Sequence, residues 1–408
     1  MNILVFNSGS SSLKFLLAAY RPDREEQGLR VVRPIIRGQI ERVGNAATLG
    51  VMTKGVRELT RKREIRDQQE AVEWVFERLD SHPVDAIGHR VVHGGAWFRE
   101  PILLDDTVLE KIALVSDLAP LHNQACLAAI KAARTVAGEW MPMAAVFDTA
   151  FHRTIPEHAA TYAIPEEWSV KHGIRRYGFH GIAHASSVSA YAESRNRRLE
   201  GTRLITLHLG SGCSAAAVRD GCSMDTSMGF TPSEGLVMGT RAGDCDTGLV
   251  GYLERHTALT VDQINRLLNE RSGLLGLSGR WSDMRDILTA MDGDPRAHLA
   301  VAVFCYRVRK YIGAYLAVLG GADAVLFSGG IGERAPKIRA DICHGMDWCG
   351  LRLDNKKNME TIELPTGSAT CISAEGSALS AYVTAVDEET WIARETLACL
   401  QNREGGRQ

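Results

Sequence analysis

Arginine, histidine and aspartate side chains cluster in four short stretches of this 408-residue chain, and three of the four also contain glycine. The stretches are residues 88–95 (GHRVVHGG), 147–152 (FDTAFH), 177–181 (YGFHG) and 225–246, the last of which contains Gly239-Thr240-Arg241. An arginine flanked by glycine can bind a carboxylate through two hydrogen bonds or neutralise a phosphoryl group during its transfer. A structural ion pair is the alternative for each arginine taken alone. The combined inventory favours phosphoryl transfer from a nucleotide, which needs positioning and charge neutralisation but no nucleophilic side chain.

The first fifteen residues, MNILVFNSGSSSLKF, offer a second kind of phosphate contact. An apolar strand leads into Asn7, then into the turn Ser8-Gly9-Ser10-Ser11-Ser12, with Lys14 just beyond. Such a turn leaves backbone N–H groups accessible to an anion, and the lysine adds positive charge. The Walker A pattern is absent and residues 15–20 form another strand-like run, so the segment predicts a β-hairpin. These residues alone support a phosphate-binding hairpin and a serine-rich surface hairpin equally.

A similar strand-turn-strand pattern, LITLHLGSGCSAAAV, occupies residues 204–218. At a constant offset of 201 residues, His208 matches Asn7 and Gly210 matches Gly9. Two hairpins with glycine in the turn, each opening one half of the chain, predict an internal duplication. Facing hairpins of this kind could hold a nucleotide from both sides.

Hydrophobic periodicity predicts the elements that position these residues. Predicted strands cover residues 31–40, 46–52, 86–92, 143–147 and 324–327, and predicted helices cover residues 67–79, 107–118, 124–137, 260–268, 295–319 and 384–397. A glycine-rich turn is predicted at residues 329–333, where it would let a ligand or a backbone approach closely. A tight turn without a ligand explains the same residues equally well.

Length and composition limit the classes of protein. A chain of 408 residues predicts two domains and a cleft between them. A net charge of -2, with 24% charged and 45% hydrophobic residues, gives no reason to expect a nucleic-acid partner. The nine cysteines form no C-x-x-C pair, so neither a disulfide framework nor a zinc ribbon is indicated. The absence of a leader-like start and of an apolar run of about 18 residues predicts a soluble cytoplasmic protein with no membrane partner.

The spacing of histidine and serine residues bears on two other chemistries, zinc binding and serine hydrolysis. His89 with His93, and His180 with His184, have the four-residue spacing of zinc ligands on a helix. The glutamate of the zincin motif is missing, and the intervening residues fit strand ends or turns better than a helix, so no zinc site is predicted. The G-x-S-x-G elbow of serine hydrolases is also absent.

Ten motifs, taken in order, closely resemble the acetate kinase family. They are NSGSSSLKF, HRVVHGG, APLHN, FDTAFH, RRYGFHG, HLGSG, DTSMGFTPSEGL, MGTRAGD, GGIGE and EETWIARET, running from residue 2 to about residue 396. The resemblance implies an α/β fold, the duplicated actin-like and Hsp70-like (ribonuclease H-like) ATPase fold, with two domains around a cleft and usually a homodimer. It implies an acyl-substrate and phosphoryl domain at residues 1–150 plus 386–408, and a nucleotide-binding domain at residues 151–385.

The resemblance also implies roles for individual residues. The catalytic residues that it implies are Asn7, Arg90, Asp148, His180 and Arg241. The residues implied to bind the acyl substrate are Arg90, Val92, Leu121, Phe179 and Pro232. The residues implied to bind the nucleotide are Lys14, His208, Gly210, Ser211, Gly212, Asp283, Met284, Arg285, Gly329, Gly330, Ile331, Gly332 and Glu333. The residues implied to bind magnesium, for which Mn²⁺ could substitute, are Asn7, Asp148 and Glu388.

The activity implied is the reversible phosphorylation of acetate by ATP, giving acetyl phosphate and ADP by direct in-line transfer. Propionate or butyrate is the alternative substrate, because one methylene changes pocket selectivity by only about 1–3 kcal/mol. A nucleotide-driven binding module of the actin and Hsp70 kind is the alternative of another class, disfavoured by the paired arginines and the small apolar pocket. Ser211 stands where the family usually has asparagine, which leaves the preferred phosphoryl donor open.

Overall fold

The computed structural model describes residues 1–9, 11–22, 31–44, 49–54, 57–62, 64–79, 82–118 and 120–405. Within these ranges, the side chains of residues 49, 54, 57–62, 117, 118, 120–122 and 403–405 are not described. Ser10 of the first predicted turn and residues 46–48 of a predicted strand therefore lie outside the described residues.

Fourteen strands and fifteen α-helices make up the described part of the chain. The strands are β1 (Asn2–Ser8), β2 (Ser12–Tyr20), β3 (Val32–Glu41), β4 (Leu49–Lys54), β5 (Arg57–Lys62), β6 (Ala86–Val91), β7 (Ile102–Leu103), β8 (Met143–Phe147), β9 (Arg203–Leu209), β10 (Cys213–Arg219), β11 (Cys222–Thr226), β12 (Ala324–Ser328), β13 (Ala369–Cys371) and β14 (Ser380–Thr384). The helices are α1 (Gln68–Phe76), α2 (Asp106–Leu114), α3 (Pro120–Ala137), α4 (Glu157–Ala160), α5 (Glu166–His172), α6 (Gly181–Arg195), α7 (Gly248–His256), α8 (Val261–Glu270), α9 (Gly273–Ser278), α10 (Met284–Ala290), α11 (Pro295–Leu319), α12 (Gly329–Arg334), α13 (Pro336–Cys343), α14 (Asn355–Glu360) and α15 (Glu388–Gly405). Short 3-10 helices occupy Val115–Leu118, Ala150–Thr154 and Asp347–Cys349.

The chain divides into two compact units. Unit 1 comprises Met1–Ala150 and Asp387–Gln408, and unit 2 comprises Phe151–Val386. Each unit contains its own sheet, so each can be described by itself. Within the described ranges, every helix is too short or too polar to span a bilayer.

Unit 1 is built on an eight-stranded sheet with the order β5-β4-β3-β2-β1-β6-β8-β7. Central strand β1 is antiparallel to β2 and parallel to β6, and β6 is parallel to β8. Residues 3–6 of β1 are completely buried, which fits a central strand covered on both faces. On one face, Leu4 and Phe6 share a core with Val72 and Trp74 of α1.

Helix α15 covers another part of that sheet. A Cβ on Gly88 of β6 would lie 2.3 Å from Oγ1 of Thr396 and 3.1 Å from Cγ2 of Ile392. Such contacts are too close for any side chain, so glycine at this position lets α15 pack directly on the strand. This packing brings the beginning of α15, with Glu388 and Glu389, to the same sheet as β1 and β6.

Unit 2 repeats this strand arrangement. Its six-stranded sheet has the order β11-β10-β9-β12-β14-β13. In unit 1, the pairs β3–β2 and β2–β1 are antiparallel, and the pairs β1–β6 and β6–β8 are parallel. In unit 2, the pairs β11–β10 and β10–β9 are antiparallel, and the pairs β9–β12 and β12–β14 are parallel. The predicted internal duplication is therefore confirmed, with β1 and β9 as the matching first strands.

The two hairpins differ in length at the turn. Ser8 pairs with Leu13 across four residues, whereas Leu209 pairs with Cys213 across three. The predicted constant offset of 201 residues is therefore wrong for the second strands, where the offset is 200. Consequently Ser214, and not Ala215, occupies the place that Lys14 holds in the first hairpin.

Three further local predictions need correction. Residues 329–333 form helix α12 and not a turn. Thr384 ends strand β14, so the last helix begins at Glu388 and runs to Gly405. His184 lies in helix α6, although the residues between it and His180 were expected to form a strand end or a turn. Glycine-rich and evenly apolar segments such as these give a weak helical signal, because neither propensity nor amphipathicity marks them.

Candidate functional site

Arg90 and Asp148 form a buried ion pair at the ends of neighbouring parallel strands of unit 1. Arg90 lies in register with Val146, so Asp148 falls just past the end of β8 beside it. Nε of Arg90 donates to both carboxylate oxygens of Asp148 at 3.1 Å, and Nη2 donates to Oδ2 at 2.5 Å. The side chains are 17% and 2% exposed, so the pair is shielded from water.

Asn7 connects this pair to helix α15. Its Oδ1 accepts a hydrogen bond from Nη1 of Arg90 at 3.2 Å. Its Nδ2 donates to Oε2 of Glu388 at 2.7 Å and to Oε1 of Glu389 at 2.8 Å. The amide therefore bridges a guanidinium and two carboxylates, and the four predicted residues Asn7, Arg90, Asp148 and Glu388 lie together.

A second arginine holds the start of α15. Nη2 of Arg37, on β3, donates to both carboxylate oxygens of Asp387 at 2.7 and 2.8 Å. Its Nη1 lies 3.4 Å from Oε2 of Glu389. The Asp387 side chain also accepts a hydrogen bond from the backbone N–H of Thr390, and Asp387 thereby caps the N-terminus of α15. Arg37, Asp387 and Glu389 were not singled out from the sequence, although the last two flank the predicted Glu388.

The charges of unit 1 shift the pKa values of its ionisable groups. The carboxylates of Glu388 and Glu389 raise the pKa of Lys14, so its ammonium stays protonated. Burial raises the pKa of Asp148, and the adjacent Arg90 acts in the opposite direction. For Arg90, burial acts to lower the pKa, but Asp148 and Glu388 outweigh it and the net pKa is raised. The cluster thus keeps two permanent positive charges, Arg90 and Lys14, close to acidic side chains.

The acidic residues of unit 1 bear on where a cation could bind. In the described part of the chain, no three or more His, Cys, Asp or Glu side chains are grouped to hold a metal ion. Both carboxylate oxygens of Asp148 accept hydrogen bonds from Arg90, and the group that Asn7 presents to Glu388 is its Nδ2 and not its Oδ1. Glu388 has the ligand chemistry that Mg²⁺ prefers, a carboxylate that can be supplemented by water.

In unit 2, His180 and Arg241 converge on one glycine. A Cβ added to Gly212 would lie 3.3 Å from Nε2 of His180 and 3.3 Å from Nη2 of Arg241. The turn of the second hairpin therefore carries a small space bordered by an imidazole and a guanidinium. The His208 ring is close by, with its centroid 4.8 Å from that of His180.

His180 is placed by an unusual backbone. Its φ is +58°, in the left-handed region that non-glycine residues seldom adopt, and it immediately precedes α6. The preceding Gly178 also has positive φ, and a Cβ there would lie 2.6 Å from Cδ2 of His152. The YGFHG motif therefore forms a turn in which Gly178 and His180 both have positive φ, and in which Gly178 leaves room for the His152 ring.

Arg241 is oriented by a neighbouring loop. Its Nη1 donates to the carbonyl oxygen of Pro232 at 2.7 Å, and burial lowers the pKa of its guanidinium. The loop is fixed by Arg176, which donates to Oε1 of Glu234 at 2.5 Å and to the carbonyl of Met228 at 3.1 Å. The hydroxyl of Tyr162 bonds the same carboxylate. Arg176, Glu234 and Tyr162 are thus supporting residues that the sequence analysis did not identify.

The predicted nucleotide residues meet partly at the second hairpin. The N–H of Gly239 donates to the Ser211 carbonyl at 2.9 Å, and a Cβ on Gly239 would lie 3.2 Å from the carbonyl oxygen of Ser282. The turn 210–212 and the segment leading into α10 are therefore neighbours. Gly329 packs against the hairpin as well, since a Cβ there would lie 2.7 Å from the Leu209 carbonyl oxygen.

Residues at the start of α10 are arranged differently. Asp283 caps the helix and forms an ion pair with Arg285, with Nη2 2.6 Å from Oδ2. This pair lowers the pKa of Asp283. Met284 is buried, whereas the Arg285 side chain is 89% exposed. The side chains of Asp283 and Arg285 are thus accessible to a ligand, whereas that of Met284 is not.

Helix α12, which carries Gly329 to Glu333, is held by a buried arginine. Arg339 is fully buried and donates to the carbonyls of Gly332 and Glu333 at 2.9 and 2.8 Å. Its other nitrogens donate to Asn358 and Thr361. Sequence reasoning missed Arg339, because a basic residue in an apparently ordinary helix is usually solvated.

The predicted acyl-pocket residues are distributed over both units. Val92 belongs to unit 1 and is buried, whereas Phe179 and Pro232 belong to unit 2, where Phe179 is buried and Pro232 partly exposed. The side chain of Leu121 lies outside the described residues. Their grouping around one substrate stays a prediction.

Residues 2–394 match the sequence profile described as the Acetokinase family. This chain belongs to the acetokinase family. An acetate kinase of Solibacter usitatus is 45% identical over 98% of this chain and 98% of its own length.

Solved structures of acetokinase relatives resemble this chain throughout. A crystal structure of acetate kinase from Porphyromonas gingivalis matches with a TM-score of 0.85 and 36% identity, covering 98% of this chain and 99% of the other. A propionate kinase from Francisella tularensis matches with a TM-score of 0.86 and 38% identity, covering 97% and 99%. The predicted α/β fold, the duplicated actin-like ATPase fold, is thereby confirmed.

Proposed function

We propose that this chain catalyses the reversible transfer of the γ-phosphoryl group of ATP to acetate, giving acetyl phosphate and ADP. The observation that carries the proposal is the convergence of Arg241 and His180 on Gly212, in a chain that matches the acetokinase family over residues 2–394. In this reaction an acetate oxygen bonds to the γ-phosphorus while the bond to the β,γ-bridging oxygen breaks. ADP carries away the electron pair, and no side chain is phosphorylated.

The roles proposed for unit 2 follow from charge. A phosphoryl group in transit spreads negative charge over its equatorial oxygens, and preorganised donors stabilise that charge. Arg241, fixed by the Pro232 carbonyl, and the Nε2 side of His180 would supply such donors. Lys14 of unit 1 would contribute a mobile ammonium to the same chemistry. Gly210, Ser211, Gly212, His208, Asp283, Arg285 and residues 329–333 are proposed to bind ATP and ADP.

Arg90 is proposed to bind the substrate carboxylate. Its Nη1 is the guanidinium nitrogen that does not bond Asp148; it donates at 3.2 Å to Asn7. A fixed guanidinium recognises a planar carboxylate better than a lysine ammonium does, because its donors form a rigid fork. Val92, Leu121, Phe179 and Pro232 are proposed to surround the acyl methyl group.

Magnesium is proposed to be held through Glu388, with Asn7 and Asp148 as the further candidates. When bound, Mg²⁺, or Mn²⁺ in its place, neutralises phosphate charge. Glu388 contributes a carboxylate, while Asp148 orients Arg90 through its two oxygens. A higher magnesium concentration required for half-maximal activity in Glu388→Gln, with wild-type fold, would support this role, whereas unchanged affinity for magnesium in that variant would remove it.

A homodimer and a cytoplasmic location are also proposed, both from the family resemblance. Light scattering on the purified chain tests the first: a mass near twice 44.6 kDa is expected. A single-chain mass at assay concentrations would contradict it.

The reaction is tested by measuring acyl phosphate with hydroxylamine in the presence of ATP, magnesium and acetate. Arg241→Ala and His180→Ala should each lose at least about 100-fold in kcat while keeping the melting temperature within a few degrees. Near-normal turnover in both variants would refute the assignment. ATP hydrolysis that is slow and indifferent to acetate would instead indicate a nucleotide-driven binding module.

Propionate is the second candidate substrate, favoured by the 38% identity to a propionate kinase. A single methylene separates the substrates, so the discrimination expected is about 10–200-fold. Comparison of kcat/KM for acetate, propionate and butyrate decides between them, and a higher value for propionate would replace acetate in the proposal.

A further inference from the structure

Gln68 holds the turn of the first hairpin against unit 1. It is the first residue of helix α1, and its side chain is buried. Its Nε2 donates hydrogen bonds to the carbonyl oxygens of Gly9 at 2.9 Å and of Ser12 at 3.3 Å. The orientation of the side-chain amide is fixed, because a carbonyl oxygen only accepts and Nε2 is the group of a glutamine that donates. One side chain of α1 therefore bonds two carbonyl oxygens of the turn.

The other carbonyl oxygens described in this turn also face donors of unit 1. The Ser11 oxygen accepts from the backbone N–H of Val43, just past the end of β3, at 3.0 Å. The Ser8 oxygen lies 3.8 Å from Sγ of the buried Cys126 in α3, a weak donor. The carbonyl oxygens of residues 8, 9, 11 and 12 are therefore all directed at the protein's own donors.

This arrangement decides which groups of the turn a ligand can meet. Ser11 is exposed, and Gly9 and Ser12 are partly exposed. An anion needs hydrogen-bond donors, and a carbonyl oxygen directed toward it would repel it. Gly9 is the position at which an oxygen could turn outward most easily, because a residue without a Cβ accepts a wide range of backbone angles. The hydrogen bond from Gln68 to the Gly9 oxygen opposes that rotation.

We infer that Gln68 is a positioning residue that keeps the carbonyl oxygens of the first turn directed into unit 1, so that a phosphoryl group meets the N–H and hydroxyl donors of the turn. The catalytic part of this inference rests on the proposed function, in which Lys14 of the same hairpin acts on the phosphoryl group. The order that Gln68 gives to the turn is a property of the folded chain alone, and it can be measured separately.

The order of the turn is measured without substrate by amide hydrogen exchange, followed by NMR on the full chain. The amide hydrogen of Gly9 reports on it, because this hydrogen bonds to the Ser12 oxygen that Gln68 also bonds. Gln68→Met removes the side-chain donor at similar length. In that variant the Gly9 amide should exchange about tenfold faster, the equivalent of one net hydrogen bond. A wild-type exchange rate at Gly9 would overturn the inference, whatever the chain catalyses.

The catalytic part is tested with a matched pair of neighbouring glutamines. In Gln68→Met we expect kcat/KM for ATP to fall about tenfold, the rate equivalent of one net hydrogen bond. KM for acetate should be unchanged, because Arg90, which is proposed to bind acetate, is held by other residues. Gln69→Met is the control, since Gln69 is exposed on the same helix and its Nε2 donates to Glu73 at 3.0 Å. The control should match the wild-type chain in exchange and in rate.

A structural role alone would loosen the turn and lower the melting temperature but leave kcat/KM for ATP unchanged in the folded enzyme, and that result would overturn the inference. Absence of kinase activity in the wild-type chain would refute the proposed function, while the exchange rate at Gly9 would still decide the order of the turn. Should Gln68→Met fold poorly, Gln68→Asn retains the carboxamide one methylene short of the turn. A wild-type exchange rate at Gly9 in that variant would overturn the inference equally.

Discussion

Replacement of Gly212 by alanine should abolish most turnover while leaving the fold intact. Gly212 does not adopt a positive φ, so its backbone accepts alanine. The added Cβ would lie 3.2 Å from Cε1 of His180 and 3.3 Å from both Nε2 of His180 and Nη2 of Arg241. These separations are a few tenths of an ångström too short, so both groups must move or the methyl must displace whatever they bind.

The size of the effect follows from what the methyl replaces. Loss of one preorganised donor to a developing oxyanion typically costs about 10²–10³ in kcat. Two donors border the space at Gly212, so kcat should fall by at least about 100-fold. Stability should change little, because the reduced freedom of the unfolded chain, about 0.4–1 kcal/mol, offsets the strain of the close contacts.

Acyl phosphate formation and thermal melting are measured on the same preparations. Gly313→Ala, in helix α11, is the matched control because a Cβ there meets nothing within 4 Å. It should keep wild-type kcat and gain about 0.5–1 kcal/mol of stability from helix propensity. A folded Gly212→Ala variant with kcat within about threefold of wild type would refute the catalytic use of this space.

Three further predictions concern stability and nucleotide binding. Burial lowers the pKa of His89 to about 3, so on acidification only the unfolded chain takes up a proton and stability falls as pH drops below about 6.5. His89→Leu should remove about 1.4 kcal/mol of that loss per pH unit in urea titrations, and an unchanged pH slope would contradict it. Arg339→Met should destabilise the chain by at least about 1–3 kcal/mol, because buried carbonyl oxygens lose their hydrogen-bond donor, and should raise KM for ATP; a melting temperature equal to wild type would show that Arg339 does not hold α12 in place. Ser211→Asn adds two amide donors at the second hairpin and should lower KM for ATP about threefold or more, whereas a raised KM would show that the serine suits this chain's own nucleotide.

Elements with a strong periodic pattern were predictable from the sequence. Helix α11 was predicted at residues 295–319 and is found at Pro295–Leu319, because its apolar residues repeat and Pro295 marks its first turn. Both hairpins were predicted from apolar runs broken by glycine. These signals are local in the sequence, so the helix and the hairpins can be predicted without knowing how they pack.

Elements whose pattern depends on packing were not predictable. Helix α12 contains three glycines that oppose helix formation, and its place depends on the distant Arg339. Helix α6 is buried over most of its length and shows no polar face. The turn lengths of the two hairpins differ by one residue, which only the strand pairing reveals.

The candidate site was predictable in its residue types more than in its contacts. Arginine and aspartate at strand ends indicated Arg90 and Asp148 as site residues, but the ion pair between them was not predicted. The link from Asn7 to Glu388 joins residues 381 positions apart, and no local pattern could reveal it.

The central claim is a phosphoryl transfer between a nucleotide and acetate. The most direct measurement is ³¹P NMR of the purified chain with magnesium, ADP and acetyl phosphate, followed by the same experiment from ATP and acetate. Because acetyl phosphate is a mixed anhydride of high transfer potential, we predict rapid appearance of the three ATP resonances as acetyl phosphate disappears, with acetate required for the reverse direction. Release of inorganic phosphate from either mixture, without ATP or acetyl phosphate being formed, would contradict the account.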